Sequence, residues 1–299
     1  MPAGHRVSFI DPYRVAAPTG EQPAADFDLF ERKCLAQGDS WFSIGSLPPG
    51  LTSNILAQLE LMRSAAVVNC ARPGKFLSHM TDTSSEPIFL RLFRGKLAIK
   101  WDAILFSGGG NDLIDAASVG PTAPPDQRLL ATAAERGPGP LSGDQYISQL
   151  GWTTFETHLR SVFTPLVDLR DSGVNKHVPM VFHTYAHIMP RPAPVGFGHG
   201  PWLQPAMDAF GVPTTDWLSV SDALMDRLAK LFARLIAERQ TVDPACELYL
   251  VESRPAPLIL GDQTATGSSG DFLNEIHPTR AGYAKLADVW RTTLDPIFG

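Results

Sequence analysis

KCLAQGDSWF, residues 33–42, runs from a short apolar stretch into a glycine, an acid and a serine, and then into two large aromatics. Five apolar-leaning residues closed by a Gly-Asp turn suit a strand buried on both faces. Gly and Asp favour the turn itself, and Asp or Ser is a good start for a following helix. Ser40 therefore sits where a strand gives way to a turn, beside Asp39. It is either a turn cap or a nucleophile, and GDS alone does not decide which.

The same apolar pattern recurs in AVVNC (66–70), AILFSG (103–108), PMVFHTY (179–185) and ELYLV (247–251). Between these runs lie residues with helical spacing. Leu51, Ile55, Leu59 and Met62 form one stripe; Phe155, Leu159, Val162, Phe163 and Leu166 form a second. Leu224, Leu228, Leu231, Phe232 and Leu235 form a third, and Tyr283, Leu286, Ala287 and Trp290 a fourth. Such stripes face a core. Strands alternating with helices along the chain predict an α/β fold, a parallel sheet of five strands wrapped by helices through right-handed crossovers. One domain over 1–299 is expected, with residues 1–31, rich in Pro and Ala, as an irregular N-terminal arm. Residues 117–146 and 186–215 break the alternation with many Gly and Pro. Both follow predicted strands, so both are expected over the carboxyl edge of the sheet, as pocket walls or as plain surface insertions.

Composition narrows the function classes. The chain has 299 residues, 44% hydrophobic and 19% charged, enough to bury a sizeable core. Its net charge is −6 and it has no Lys/Arg-rich run, which makes nucleic acid and anionic membrane surfaces poor partners. Cys34, Cys70 and Cys246 show no CxxC spacing and read as buried thiols. No run of about 18 apolar residues occurs, so no spanning helix is expected. The N-terminus lacks an apolar leader core, which gives a cytoplasmic expectation; a secreted chain relieved of its leader would read the same. Oligomeric state leaves no sequence signal.

Three further stretches meet the question posed by Ser40. NCARPGKF (69–76) places Gly74 after the second strand, and FSGGGNDLID (106–115) places Gly109, Asn111 and Asp112 after the third. DFLNEIHPTRAGY (271–283) places His277 before the last helix, with Pro278 at its start. Strand ends of a parallel sheet share one edge, so Ser40, Gly74, Asn111 and His277 can converge there. A serine becomes a nucleophile when a neighbouring base takes its proton, and His277 is the candidate base. Backbone N–H groups of Ser40 and Gly74 and the side-chain amide of Asn111 are candidate oxyanion donors. A glycine at 74 lets the backbone approach without a Cβ.

These four blocks, in this order, resemble the GDSL or SGNH hydrolase superfamily over residues 33 to 290. GDS resembles its first block with Ser40 as nucleophile, Gly74 the second-block glycine, GGND (109–112) the third block, and His277-Pro278 the last. The resemblance implies a flavodoxin-like three-layer sandwich and cofactor-free hydrolysis of esters, thioesters or acetylated sugars. The GxSxG elbow of the larger α/β-hydrolases is absent at Ser40. One position departs: the family's usual Asp three residues before the His is Asn274 here. Asn274 then orients His277 through its carbonyl oxygen, or Asp271 or Glu275 supplies a displaced carboxylate, or a backbone carbonyl holds the ring and leaves a dyad. Asn274 or a dyad is favoured over a displaced acid.

The remaining polar residues have modest expectations. Asp39 and Asp112 read as loop-orienting acceptors. His183 and His187 are four apart but lie on a strand and a Pro-rich loop without a third ligand, so no metal is expected. Tyr185, His187 and Trp202 are candidate pocket residues, Trp202 either lining the acyl pocket or anchoring its loop. Trp41 and Phe42 are expected to pack beneath the nucleophile turn, and His79, His158 and His199 to be structural or exposed. The expectation is a serine esterase acting on a small-molecule ester through a Ser40 acyl-enzyme. An acyltransferase using the same intermediate, or a catalytically silent binding module, remains as an alternative.

Overall fold

The computed structural model describes residues 4–17, 24–43, 53–82, 84–94, 98–139, 141–195 and 199–299. Eight strands occur among them: β1 His5–Arg6, β2 Ser8–Ile10, β3 Arg32–Gly38, β4 Glu60–Leu61, β5 Ala65–Asn69, β6 Ala103–Ser107, β7 Met180–His183 and β8 Leu248–Val251. The helices are α1 Pro12–Ala16, α2 Ser40–Ser43, α3 Ile55–Gln58, α4 Pro87–Phe93, α5 Gly110–Ser118, α6 Ala133–Arg136, α7 Gln149–Asp171, α8 Gln204–Ala209, α9 Trp217–Val242 and α10 Arg280–Phe298.

A parallel six-stranded sheet, in the order β2-β5-β3-β6-β7-β8, forms the centre. The five expected strands are its last five, in the 2-1-3-4-5 order of a flavodoxin-like sheet. Their apolar runs are buried, Leu35, Val67, Ile104 and Val181 completely. The α7, α9 and α10 stripes are as expected: Leu159, Phe163 and Leu166, Leu224 and Phe232, and Tyr283, Leu286 and Trp290 are all in the core. Helices α7 and α9 pack on each other, and α3 packs on α10; β8 touches both α9 and α10.

Two expectations change. The N-terminal arm contributes β2 as a sixth strand, with Ser8 opposite Ala66 and Ile10 opposite Val68. It also contributes β1, which pairs antiparallel with β4. An edge strand of three residues with Phe9 47% exposed is too short to show a period against a Pro/Ala background. The stripe through Leu51 and Met62 is not one helix. Leu51 lies outside the described residues. Helix α3 starts at the Asn54 cap, whose Oδ1 accepts from Ala57 N–H at 2.8 Å, and stops at extended Leu59. The chain then enters β4, and Met62 points to solvent. Apolar residues three and four apart fit a short helix followed by a strand as well as one long helix.

The order of the sheet positions the site. Chain direction reverses its progress across the sheet between β3 and its two neighbours, and the crevice at the carboxyl ends of β3, β5 and β6 opens at that point.

Candidate active site

Three buried groups fix the turn after β3. The Asp39 carboxylate accepts from Trp41 N–H at 2.9 Å and from Ser107 Oγ at 2.7 Å through Oδ1, and from the Tyr185 hydroxyl through Oδ2. Because Ser107 donates to Asp39, its oxygen accepts from His183 Nε2, 2.9 Å away. Burial pushes the Asp39 carboxyl up to about 6 against the pull of those hydrogen bonds, and pushes the His183 ring down to about 3. Trp41 stands edge-on to Tyr185 and Tyr283, and Phe42 stacks on His183. Asp39 is thus the turn's internal anchor and the two aromatics are its floor. The turn leaves Ser40 at the first residue of α2.

The candidate base arrives from the opposite side, in the loop before α10. His277 Nε2 is 2.9 Å from Ser40 Oγ, and His277 Nδ1 is 3.0 Å from Asn274 Oδ1. Ser40, Asn274 and His277 are only 6%, 4% and 4% exposed. The backbone N–H groups of Ile276 (3.2 Å) and His277 (2.9 Å) both donate to Asn274 Oδ1, which fixes the amide with its oxygen toward the ring. A carbonyl oxygen accepts only, so Nδ1 carries the proton and Nε2 presents its lone pair to the Ser40 hydroxyl. Burial pushes the His277 ring down to about 4, which keeps it neutral. The two displaced acids considered above face elsewhere. Asp271 accepts from Ile259 N–H at 2.6 Å and from Lys285 Nζ at 2.7 Å. Glu275 accepts from the N–H groups of Trp202, Leu203 (2.9 Å) and Gln204 (2.8 Å), and from Arg191 N–H at 3.3 Å.

The candidate oxyanion donors lie at the ends of three adjacent strands. Gly74 has φ +73° and no atom within 4 Å of where a Cβ would stand, so its left-handed turn faces open space. Asn111, in the first turn of α5, gives one of its two amide hydrogens to Lys75 O at 2.9 Å, which leaves the second for a substrate. Asp112 Oδ2 accepts from Leu77 N–H at 2.9 Å. Neighbouring residues of the GGND block therefore hold the Gly74 loop from both sides. Gly110 is required by packing: a Cβ there would lie 2.6 Å from the Tyr185 ring.

Two cavities meet at Asn111 and Ile114. The first, beside Ser40, has room for water-sized groups of about 20 Å³ and is walled by Tyr185, Ile188, Met225 and Ile276. The second is a cleft of about 450 Å³ running past Gly74 to Trp202, Pro205 and Phe210. Trp202 stands edge-on to the His277 ring, 5.4 Å between centroids. The structure therefore brings Tyr185 and Trp202 to the site. It does not bring His187, whose Nδ1 pairs with Asp222 Oδ1 at 2.5 Å in a separate cleft with Arg254. No group of three or more His, Cys, Asp or Glu side chains able to hold a metal occurs among the described residues. No described helix is long and apolar enough to cross a membrane.

Sequence reasoning missed how the 186–215 segment is attached. Arg191, fully buried, donates to the carbonyls of Ala265 (3.0 Å), Gly267 (2.5 Å) and Asn274 (2.7 Å), while Glu275 grips N–H groups in the reverse direction. Each charge is satisfied by the other segment's main chain. An arginine between two prolines, PRP at 190–192, was the available signal, since such a loop has few backbone donors of its own.

No family model and no curated protein sequence matches the chain. Solved structures do. A GDSL-like lipase from Bacteroides thetaiotaomicron aligns with a TM-score of 0.40 and 13% identity, covering 89% of each chain. An extracellular lipase from Streptomyces rimosus aligns at 0.45 and 12%, covering 89% of this chain and 99% of that one. An acetylxylan esterase from Geobacillus stearothermophilus aligns at 0.42 and 15%, covering 87% and 92%. Among solved structures, then, this chain has GDSL-like lipases and acetylxylan esterases as neighbours along most of its length.

Proposed function

We propose that the protein is a serine ester hydrolase of the SGNH type. The observation that carries this reading is the ordered chain Asn274 Oδ1···His277 Nδ1 and His277 Nε2···Ser40 Oγ, at 3.0 and 2.9 Å. Ser40 Oγ attacks the ester carbonyl while its proton passes to His277 Nε2. The carbonyl oxygen, now negative, lies against Ser40 N–H, Gly74 N–H and the second amide hydrogen of Asn111. Collapse expels the alcohol, which takes the proton from Nε2. Water then enters, its oxygen attacks the acyl carbon as its proton passes to Nε2, and collapse breaks the bond to Ser40 Oγ, which takes that proton back as the acid leaves.

Asn274 supplies orientation without charge. The correct tautomer is held, but the imidazolium formed in each transition state has no buried carboxylate beside it, so this site works with less electrostatic help than a Ser-His-Asp triad. Hydrolysis is favoured over acyl transfer because the 450 Å³ cleft, which meets the Ser40 cavity at Asn111 and Ile114, leaves room for water to approach after the alcohol departs. A silent binding module needs no relay with a fixed tautomer.

The test is hydrolysis of p-nitrophenyl acetate by the wild type and Ser40→Ala, with intact mass after treatment with a serine-directed phosphonate. Turnover and a single adduct, both lost in Ser40→Ala, support the reading. Turnover that survives Ser40→Ala, or an adduct on another residue, refutes it.

A further inference from the structure

We infer that the site is built for esters of a very short acyl group, acetyl above all, on a bulky alcohol, and that Met225 and Ile188 set the acyl limit. The inference rests on the esterase reading above and goes further by assigning the two halves of the substrate.

The assignment follows from where the proton must go. The carbonyl carbon sits at Ser40 Oγ and its oxygen faces Gly74 and Asn111. His277 Nε2 returns the proton to the leaving alcohol, so the alcohol oxygen must lie on the His277 side. Trp202, edge-on to the His277 ring at 5.4 Å, marks that side, and it lines the 450 Å³ cleft. The alcohol half therefore extends into the large cleft. The remaining substituent, the acyl group, points the other way, into the recess bounded by Tyr185, Ile188, Met225 and Ile276.

That recess is narrow, about 20 Å³ against about 450 Å³ for the cleft. Its roughly 20 Å³ exceeds what one water-sized group needs by little, so it suits a very small acyl group. Its walls are set rigidly. Tyr185 is tied to Asp39 through its hydroxyl, and Ile276 lies between Asn274 and His277 in the base loop. Met225 and Ile188 are buried, Met225 on the 26-residue α9 and Ile188 in the loop after β7, and neither takes part in the relay. Ser221 Oγ, one turn before Met225, donates to Ile188 O at 2.9 Å and pins the two walls together. A longer acyl chain must displace these side chains. An added methylene in a hydrophobic pocket changes selectivity by about ten- to two-hundredfold.

The experiment measures kcat/KM for p-nitrophenyl acetate, butyrate and octanoate with wild type, Met225→Ala, Ile188→Ala and Ser40→Ala. Wild type is expected to fall about tenfold or more from acetate to butyrate. Truncating either wall residue is expected to raise the butyrate-to-acetate ratio about tenfold. Two separate truncations keep the test open if one of them fails to fold. For the alcohol half, benzyl acetate is expected to show a lower KM than ethyl acetate, whose leaving group has similar acidity. Wild-type rates that are flat or rise toward octanoate overturn the acyl assignment, as does a ratio unmoved by both truncations. Equal KM values for the two acetates overturn the alcohol assignment. In each of those cases Ser40-dependent turnover persists and the esterase reading stands. Turnover of every ester that is independent of Ser40, or absent, overturns both.

Discussion

Asn274→Asp places a full negative charge where the structure has an amide oxygen 3.0 Å from His277 Nδ1. The side chain keeps its shape, and the N–H groups of Ile276 and His277 that now meet Oδ1 also suit a carboxylate. With charge centres about 5 Å apart and an effective dielectric of about 20, attraction to a protonated ring is about 3 kcal/mol, or about 2.4 pH units. Burial holds the ring near 4 in the wild type. The variant's ring should therefore titrate at roughly 6 to 6.5. The sign is fixed by chemistry: the base must be neutral, so activity is lost below the ring's pKa. Plots of kcat/KM against pH for p-nitrophenyl acetate should be flat to about pH 5 in the wild type, where the ring is still neutral, and bend below about 6.5 in Asn274→Asp. At pH 8 the same charge favours the imidazolium of the transition state. The ceiling is about a hundredfold, and the cost of burying a carboxylate reduces the expected gain to about tenfold. A variant whose profile stays superimposed on that of the wild type would refute the reasoning, because the Asn274 oxygen would then not be the group facing the ring.

Asn111→Ala should lower kcat about a hundred- to a thousandfold with a smaller change in KM, measured on the same ester, since the lost donor acts on the oxyanion. Glu275→Gln replaces an acceptor-only group with one whose NH₂ faces main-chain donors. It should destabilise by about 2–4 kcal/mol, read as a lower urea midpoint, and raise KM as the Trp202 wall loosens. Tyr185→Phe removes a hydrogen bond that favours the ionised form of Asp39, which burial already holds up at about 6. A raised carboxyl pKa contributes stability below the unfolded value and loses it as pH rises through the folded one. The loss of urea stability in Tyr185→Phe should therefore be larger at pH 8 than at pH 5, and equal losses would remove Asp39 from the account.

Much of this site was legible because its parts are local. Each of the five expected strands is a run of four to seven residues, and each of Ser40, Gly74 and Asn111 follows its strand within a few positions. A parallel sheet then brings them to one edge with no further information needed. Asn274 was legible for the same reason, since it lies three positions before the ring it holds. The hidden parts depend on distant pairings. Glu275 reads locally as a spare acid for His277, and only the position of residues 202–204 shows that it faces the other way. His187 follows a strand and reads as a pocket residue, but its pairing with Asp222, 35 residues away, takes it to another cleft. Strand β2 was hidden because an exposed three-residue edge has no period to read.

The grip of Glu275 on residues 202–204 also bears on how freely this protein can change what it accepts. The carboxylate holds main-chain N–H groups, which every residue but proline presents. The half-buried side chains at 202 and 204 can therefore be exchanged without loosening the hold, whereas Leu203 is fixed in the core, and Trp202 can give way to another wall while the base loop keeps its place. Arg191 works the same way on the carbonyls of residues 265, 267 and 274, indifferent to what those residues are. On the proposed esterase reading, a library randomised at 202 and 204 with proline left out would alter alcohol preference on an unchanged relay, which makes these two positions the natural place to retune the site.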